Sequence, residues 1–432
     1  MNYTPSIEFS SVSEIEKLQS EKLVSLLKYT SEKSPFYKKL FRQSNIDVTS
    51  IKTIHDLIKI PVTTKNDLQL FNWDFLCIDK KEIAEFTSTS GTLGKPVTIA
   101  LSANDLERLA YNEAISFTCA DGSAKDLYQL MLTLDRQFMA GIAYYEGIRR
   151  LGAGLVRVGP GLPAMQWETI QRLNPTVLVG VPSFVVKLIE YGNEIKIDFN
   201  STSVEKIICI GESIRYADFR PNVLAQRIAS SWDVQLYSTY ASTEMQTAFT
   251  ECHYSQGGHL HPELLIIELL DDNNDPVKDG EQGEVTITTL GVEAMPLVRY
   301  KTGDVAVAHR AVCACGRTTL RLGPVTGRKQ QMLKLKGTTV YPPIIFDILN
   351  QQPAIQDYVI EALTGELGTD EIKIHLSAGM QDGKDLLPGL EATFQSRLRV
   401  TPIIELVNPV KLEKLRGEGR KVQRFIDSRV NL

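Results

Sequence analysis

Between Leu127 and Tyr240 short apolar runs alternate with longer stretches of helical period. Leu127 to Thr133, Leu155 to Val158, Thr176 to Val181, Val204 to Ile210 and Asp233 to Tyr240 read as strands. Arg136 to Leu151, Pro163 to Leu173, Pro182 to Gly192 and Pro221 to Ser231 read as helices, with Gly152 a fitting stop for the first. Such alternation implies a mostly parallel sheet layered by helices. Ligands of such sheets gather beyond the carboxyl ends of the strands. Ahead of this block, residues 12–33 carry Ile15, Leu18, Leu23, Leu26 and Leu27 on one side of a helix. Ser13 and Glu16 form a plausible capping box for it, and Ser34-Pro35 stops it. Short helices follow from Phe36 and near Asp67, the latter capped by Thr64, and Ser102 to Thr118 is a further helix.

From Leu264 the texture changes. Leu264 to Leu270, Gly283 to Thr289 and Val305 to His309 are strands separated by turns such as Asp271-Asp272-Asn273-Asn274-Asp275-Pro276. That reads as an antiparallel or barrel-like section over roughly residues 264–322. Residues 323–330 form a short polar, glycine-bearing linker. Helices at Pro343 to Gln351 and Leu386 to Leu398, with strands at Tyr358 to Leu363 and Glu371 to Leu376, read as a small α+β domain. The expected architecture is α/β: a large N-terminal domain over 1–326 with layered, mostly parallel sheets and the barrel-like section, then a C-terminal domain over 327–432.

A net charge of −5 argues against a nucleic-acid-binding surface as the main function. No apolar run approaches the roughly 20 residues of a membrane span. The N-terminal MNYTPSIEFSS lacks the basic and apolar parts of a secretory signal, so a cytoplasmic location is expected. Six cysteines in such a chain suggest reduced thiols or metal ligands rather than a disulfide frame.

The stretch Thr87-Ser88-Thr89-Ser90-Gly91-Thr92-Leu93-Gly94-Lys95-Pro96 lies between two strand-like runs. Its glycines allow backbone N–H groups close to an anion, and its hydroxyls and Lys95 add donors, which suits a polyphosphate. The spacing is not that of a Walker loop, because only Thr92 and Leu93 separate the glycines and Pro96 follows the lysine. A flexible hairpin loop is the competing reading.

Four further stretches fall into line with it: Tyr240-Ala241-Ser242-Thr243-Glu244, Tyr300-Lys301-Thr302-Gly303-Asp304, Gly327-Arg328 followed by Lys334-Leu335-Lys336-Gly337, and Glu418-Gly419-Arg420-Lys421-Val422-Gln423-Arg424. In order and spacing the set resembles the adenylate-forming acyl-CoA ligase superfamily, closest to phenylacetate–CoA ligases, over nearly the whole chain. The resemblance implies that Ser88, Thr89, Ser90, Gly91, Thr92 and Lys95 hold the β- and γ-phosphates of ATP. It implies Glu244 as the Mg²⁺ ligand, Thr243 on the α-phosphate, Asp304 on the ribose hydroxyls and Arg328 on ribose or phosphate. Gly211, Glu212, Ser213 and Tyr240 would frame the adenine, with Ala241 standing where the family commonly has glycine. Lys421 is the implied adenylation lysine. Arg420 competes for that role, since the family has glycine directly before the lysine. The C-terminal domain would be a mobile lid hinged at Gln330, and a pantetheine channel for coenzyme A would pass Gly337 with Lys336 nearby. The acyl pocket would draw on Leu134 to Gly141, with Phe138 lining it, and on Val181-Pro182-Ser183. Each of those residues reads equally well as core.

Cys313-Ala314-Cys315 is a close thiol pair, with Cys252 and His259 upstream. Three thiolates and an imidazole suit tetrahedral structural Zn²⁺. Reduced thiols in a turn are the alternative, and His253 and His261 are alternates to His259. The resulting expectation is an AMP-forming ligase acting on an aryl or related carboxylic acid, ATP and coenzyme A, with no nucleic-acid or membrane partner and a homodimer as one assembly state. An enzyme loading a carrier protein or another acceptor, and a degenerate nucleotide-binding relative, are the rivals.

Overall fold

The computed structural model describes residues 3–89, 97–335, 338–365, 370–378, 383–398, 400–416 and 423–429. These fall into two compact units, one ending at Val325 and the other beginning at Thr326.

The first unit opens with helices α1 (Val12–Lys33), α2 (Pro35–Gln43) and α3 (Lys65–Leu70). The Ser11 hydroxyl accepts the Glu14 N–H and the Glu14 carboxylate accepts the Ser11 N–H. The capping box is therefore Ser11/Glu14, two residues before the Ser13/Glu16 pair that the sequence suggests. A hairpin, β1 (Ile83–Ser88) and β2 (Thr98–Ser102), leads into α4 (Ala103–Cys119). The layered block follows: β3 (Leu127–Leu130), α5 (Met139–Leu151), β4 (Gly154–Arg157), α6 (Pro163–Leu173), β5 (Val177–Gly180), α7 (Pro182–Glu194), β6 (Lys206–Cys209), α8 (Val223–Ala229) and β7 (Gln235–Ser242). Helix α5 starts at Met139 and not at Arg136. Arg136 and Gln137 lie at φ +57° and +58°, left-handed values that no α-helix accepts.

Strands β4, β3, β5, β6 and β7 are hydrogen-bonded in that order and all parallel. The apolar runs of the inner strands β5 and β6 are continuous because both their faces are covered, whereas β4 at the edge stays partly exposed. On β5, Leu178 packs with Trp167, Trp232 and Ile207, whereas Val177 and Val179 pack on the other face with Tyr128, Tyr144 and Ile208. The order reverses at β3, so the crevice between the ends of β3 and β5 is the position at which such sheets bind ligands.

At β7 the sheet changes character. Its far edge pairs antiparallel with β8 (Thr247–Thr250), and the ladder continues through β9 (Gly258–His259), β13 (Arg321–Leu322), β12 (Tyr300–His309), β11 (Gln282–Thr289) and β10 (Leu265–Leu270), all antiparallel. Strand β12 begins five residues before the expected Val305, because Thr302-Gly303-Asp304 is a bulge within the strand rather than a turn before it.

The second unit contains β14 (Gly327–Arg328), the hairpin β15 (Leu333–Leu335) and β16 (Thr338–Val340), and α9 (Pro342–Asn350). Its main sheet runs β19 (Ile403–Leu406), β18 (Asp370–Ala378), β17 (Ile355–Thr364), β20 (Phe425–Asp427), accompanied by α10 (Gly383–Leu398) and α11 (Pro409–Arg416). Ile345, Tyr358, Ile374 and Phe394 belong to its own core.

Candidate active site

Strands β5, β6 and β7 end side by side, and each end carries residues singled out by the sequence. After β6 the chain turns through Gly211, whose φ of +75° favours glycine. Glu212 then reaches the end of β5. The Ser183 N–H (2.9 Å) and Ser183 Oγ (3.0 Å) both donate to its carboxylate. Ser183 is the second residue of α7, whose preceding Val181 gives no side-chain cap, so Glu212 supplies the anion that a helix N-terminus favours. Expected separately at acyl pocket and adenine, Ser183 and Glu212 are direct partners.

Across β3, Phe138 sits just before α5 and packs partly buried beside Tyr128 and Tyr144. The loop before it is tied to the β1 strand end, since the Ser88 N–H donates to the Gln137 carbonyl (3.0 Å). Thr89 is buried; its N–H donates to the Val97 carbonyl (2.9 Å) and its Oγ1 accepts the Val97 N–H (3.0 Å). These two bonds join the described residues on either side of the stretch 90–96.

Tyr240 lies on β7 and Asp304 on β12. The Tyr240 hydroxyl donates to Asp304 Oδ2 at 2.7 Å. The bulge sets up this meeting: Glu284 pairs with Val305 and Thr286 with Lys301, leaving Thr302, Gly303 and Asp304 opposite Val285 alone. Gly303 takes φ +79°, Thr302 Oγ1 donates to the Val285 carbonyl (2.8 Å) and accepts the Asp304 N–H (3.1 Å). A buried carboxylate is thereby aimed by three local constraints.

Strands β7 and β8 pair from Thr239↔Thr250 to Ser242↔Thr247, with Ala241 exposed opposite Ala248. Thr243 and Glu244 occupy the connecting turn, both half-buried. Met245 anchors the turn in the core, fully buried, and its N–H donates to Ser242 Oγ (3.3 Å). Among the described residues nothing bonds the Glu244 carboxylate, which suits a hard cation that prefers oxygen ligands.

The thiols form a second cluster. Cys252, His259, Cys313 and Cys315 have their ligand atoms within 4.8 Å of one another. Cys252 Sγ is 3.7 Å from Cys313 Sγ, and Cys315 Sγ is 3.6 Å from His259 Nε2. A tetrahedral Zn²⁺ with Zn–S near ~2.3 Å and Zn–N near ~2.0 Å sets S–S edges of about 3.8 Å and S–N edges of about 3.5 Å. The donor set fits. Burial opposes ionisation of Cys315, but its bonds to His259 and from Arg317 outweigh it and bring the thiol down to about 5. Burial pushes the Cys252 thiol up and the His259 imidazole down.

A family model described as AMP-binding enzyme matches residues 19–294, well over half of the chain. The chain belongs to the AMP-binding enzyme family. This AMP-binding enzyme is similar to the phenylacetate-coenzyme A ligase of Thermus thermophilus, 28% identical over 454 aligned residues covering 99% of this chain and 100% of that one. It is similar to the phenylacetate-coenzyme A ligase of Escherichia coli, 28% identical over 345 residues, 78% of this chain and 76% of the other. In fold it resembles 2-hydroxyisobutyryl-CoA ligase in the postadenylation state in complex with R3-HIB-AMP, with a TM-score of 0.84, 23% identity and coverage of 99% and 93%.

Several expected site residues of the AMP-binding enzyme lie outside the described residues: Ser90, Gly91, Thr92, Lys95, Lys336, Gly337, and Lys421 with its competitor Arg420. Arg328 ends β14 in the second unit, and the Gln330 carbonyl accepts from Arg429 Nη2 (3.0 Å) there. The sequence reasoning missed the group around Glu8, which is fully buried. Glu8 Oε1 bonds His261 Nδ1 and Oε2 bonds Arg317 Nε, both at 2.6 Å. His261 Nε2 meets Ser116 Oγ (3.0 Å), and Arg317 Nη1 donates to Cys315 Sγ (3.6 Å). His261 is thus committed to Glu8 and Ser116, while His259 faces the thiols. An acid in a Ser-bearing N-terminal stretch, and an arginine directly after Cys-Ala-Cys-Gly, were the available signals. Among the described residues no helix is long and apolar enough to cross a membrane.

Proposed function

We propose that this AMP-binding enzyme is an AMP-forming acid–CoA ligase that activates an aryl or related carboxylic acid, phenylacetate-like in kind, with ATP and passes the acyl group to coenzyme A. The observation that carries the reading is the convergence on β7: Tyr240 bonds Asp304, and Glu244, whose carboxylate nothing among the described residues bonds, lies in the turn just beyond the same strand. End-to-end likeness to phenylacetate-coenzyme A ligases supports it.

In the first half-reaction a carboxylate oxygen of the acid attacks the α-phosphorus of ATP, the bond to the β-phosphate's bridging oxygen breaks, and pyrophosphate leaves. Two anions must be gathered, so donors and cations supply much of the catalysis. Ser88, Thr89, Ser90, Gly91, Thr92 and Lys95 take the β- and γ-phosphates and Thr243 the α-phosphate. Asp304 takes the ribose hydroxyls, Arg328 the ribose or phosphate, and Gly211, Glu212, Ser213 and Tyr240 the adenine. Lys421, or Arg420 in its place, meets charge that develops in the transition state. Glu244 would be the protein ligand of Mg²⁺, which when bound would supply neutralisation of the phosphate charge. In the second half-reaction the coenzyme A sulfur attacks the acyl carbonyl carbon, and the carbon–oxygen bond to AMP breaks. Lys336 and Gly337 are assigned to the thiol's approach, Gln330 to the hinge, Phe138 and Ser183 to the acyl end. Cys252, His259, Cys313 and Cys315 would hold Zn²⁺ in a structural role.

Pyrophosphate release across a panel of carboxylic acids, with AMP and thioester quantified, tests the reading. Acid-dependent release, one AMP per acyl-CoA and loss of turnover in Lys421→Ala are expected. ADP as product, or release indifferent to the acid, overturns it.

A further inference from the structure

Helix α4 buries a polar row. Arg108, Asn112 and Ser116 recur at i, i+4 and i+8 and are 7%, 0% and 1% exposed. A layer helix ordinarily turns an apolar stripe inward. Arg108 Nε donates to the Leu290 carbonyl (2.8 Å), Nη1 to the Gln246 carbonyl (2.7 Å), and Nη2 to the Leu264 carbonyl (2.7 Å) and Thr247 Oγ1 (3.1 Å). Asn112 Oδ1 accepts the Ala248 N–H (3.1 Å). One helix therefore grips three consecutive residues, Gln246, Thr247 and Ala248, immediately after the Thr243-Glu244 turn.

The grip falls where the turn needs it. Gln246 is a non-glycine residue at φ +50°, a conformation that persists only when surrounding contacts over-determine it. Among the described residues its side-chain amide is buried without a hydrogen bond, so the hold comes through its backbone: the N–H donates to the Ser242 carbonyl (3.3 Å) and the carbonyl accepts from Arg108. Among the described residues no carboxylate bonds Arg108. Its desolvation is offset by backbone carbonyls and one hydroxyl, an expensive arrangement if only packing were required.

We infer that Arg108, seconded by Asn112, is a positioning residue for the adenylation half-reaction, fixing the β7–β8 turn so that Glu244 keeps its geometry toward Mg²⁺, the ion that only the ATP-consuming step needs. This rests on the ligase reading above. Its consequence is a split: adenylation depends on Arg108, whereas transfer of a preformed acyl group to coenzyme A does not.

The test compares acid-dependent ATP–pyrophosphate exchange, titrated with Mg²⁺, with thioester formation from a chemically prepared acyl-adenylate, for wild type, Arg108→Met, Arg108→Lys, Thr247→Val and Ser116→Ala. Arg108→Met should raise the Mg²⁺ needed for half-maximal exchange by about tenfold, with acyl-adenylate transfer unchanged. Arg108→Lys should recover part of the loss, and Thr247→Val should move the Mg²⁺ curve a smaller distance the same way. Ser116→Ala, in the same row but away from the turn, should lower thermal stability without moving that curve. If exchange and transfer fall together, or every Mg²⁺ curve overlays wild type, Arg108 is scaffold only and the inference is wrong. Should Arg108→Met fail to fold, the Lys and Val variants decide by the same criterion. A wild-type enzyme that exchanges with no acid refutes the ligase reading; the Mg²⁺ dependence of ATP binding in the same variants then decides whether Arg108 sets the turn.

Discussion

Replacing Glu8 by Gln removes one charge and almost no volume from the centre of the Arg317–Glu8–His261 group. The side chain is fully buried, and both its oxygens make 2.6 Å contacts, to Arg317 Nε and to His261 Nδ1. Breaking a buried pair leaves the other charge uncompensated, which costs about 3–5 kcal/mol. Burial raises the Glu8 pKa, but His261 and Arg317 together hold it below the ordinary 4.5. A depressed carboxylate pKa means that the unfolded chain binds the proton more readily. The stabilisation is therefore complete above pH 4.5 and is lost as pH falls through the folded value. Protonated wild type should resemble the Gln variant, so the gap between the two proteins should be widest near neutrality and close in acid. Urea unfolding followed by tryptophan fluorescence is suitable, because Trp73, Trp167 and Trp232 all lie in the first unit. A gap under about 1 kcal/mol at pH 7, the scale of an exposed ion pair, would refute the reasoning. So would a gap as large at pH 3.5 as at pH 7.

Glu113 has the opposite sign: burial lifts its pKa to about 8, so the folded state holds a proton that the unfolded chain releases near 4.5. Stability should therefore decline as pH rises from 4.5 to about 8, and Glu113→Gln should flatten that decline in urea titrations at successive pH values. Tyr240→Phe leaves the buried Asp304 carboxylate without its 2.7 Å donor. Its KM for ATP should rise about ten- to a hundredfold, a charge-assisted bond being worth about 1.5–3 kcal/mol, as measured by pyrophosphate exchange. Cys315→Ser should lower zinc per chain in elemental analysis of the purified protein, and unchanged zinc content would contradict the four-residue site.

Much of the layered block could be read directly from the chain. Pro163–Leu173 matched the observed helix because proline opens it and Asn174 at φ +51° closes it, both local signals. The start of α5 could not be read, since helical period continues through Arg136 and Gln137 while their backbone is left-handed. The Ser13/Glu16 box failed because Ser11/Glu14 satisfies the same four-residue pattern, and pattern alone does not choose between them. Thr302-Gly303-Asp304 fell outside the strand expected from Val305, because its polar residues and glycine break the apolar run. Only the partner strand shows that it is a bulge aiming Asp304 at Tyr240. The Cys-x-Cys pair pointed to its own cluster. Glu8 reaches residues 253 and 309 positions away, a separation at which local chemistry carries no information.

The central claim is that a carboxylate oxygen becomes bonded to the α-phosphorus of ATP. Supplying phenylacetate, or whichever acid the panel selects, labelled with oxygen-18 in its carboxylate tests that bond directly by mass spectrometry of the products. The account predicts one labelled oxygen in AMP and none in pyrophosphate. Label in inorganic phosphate alongside ADP, or unlabelled AMP during full turnover, would contradict it.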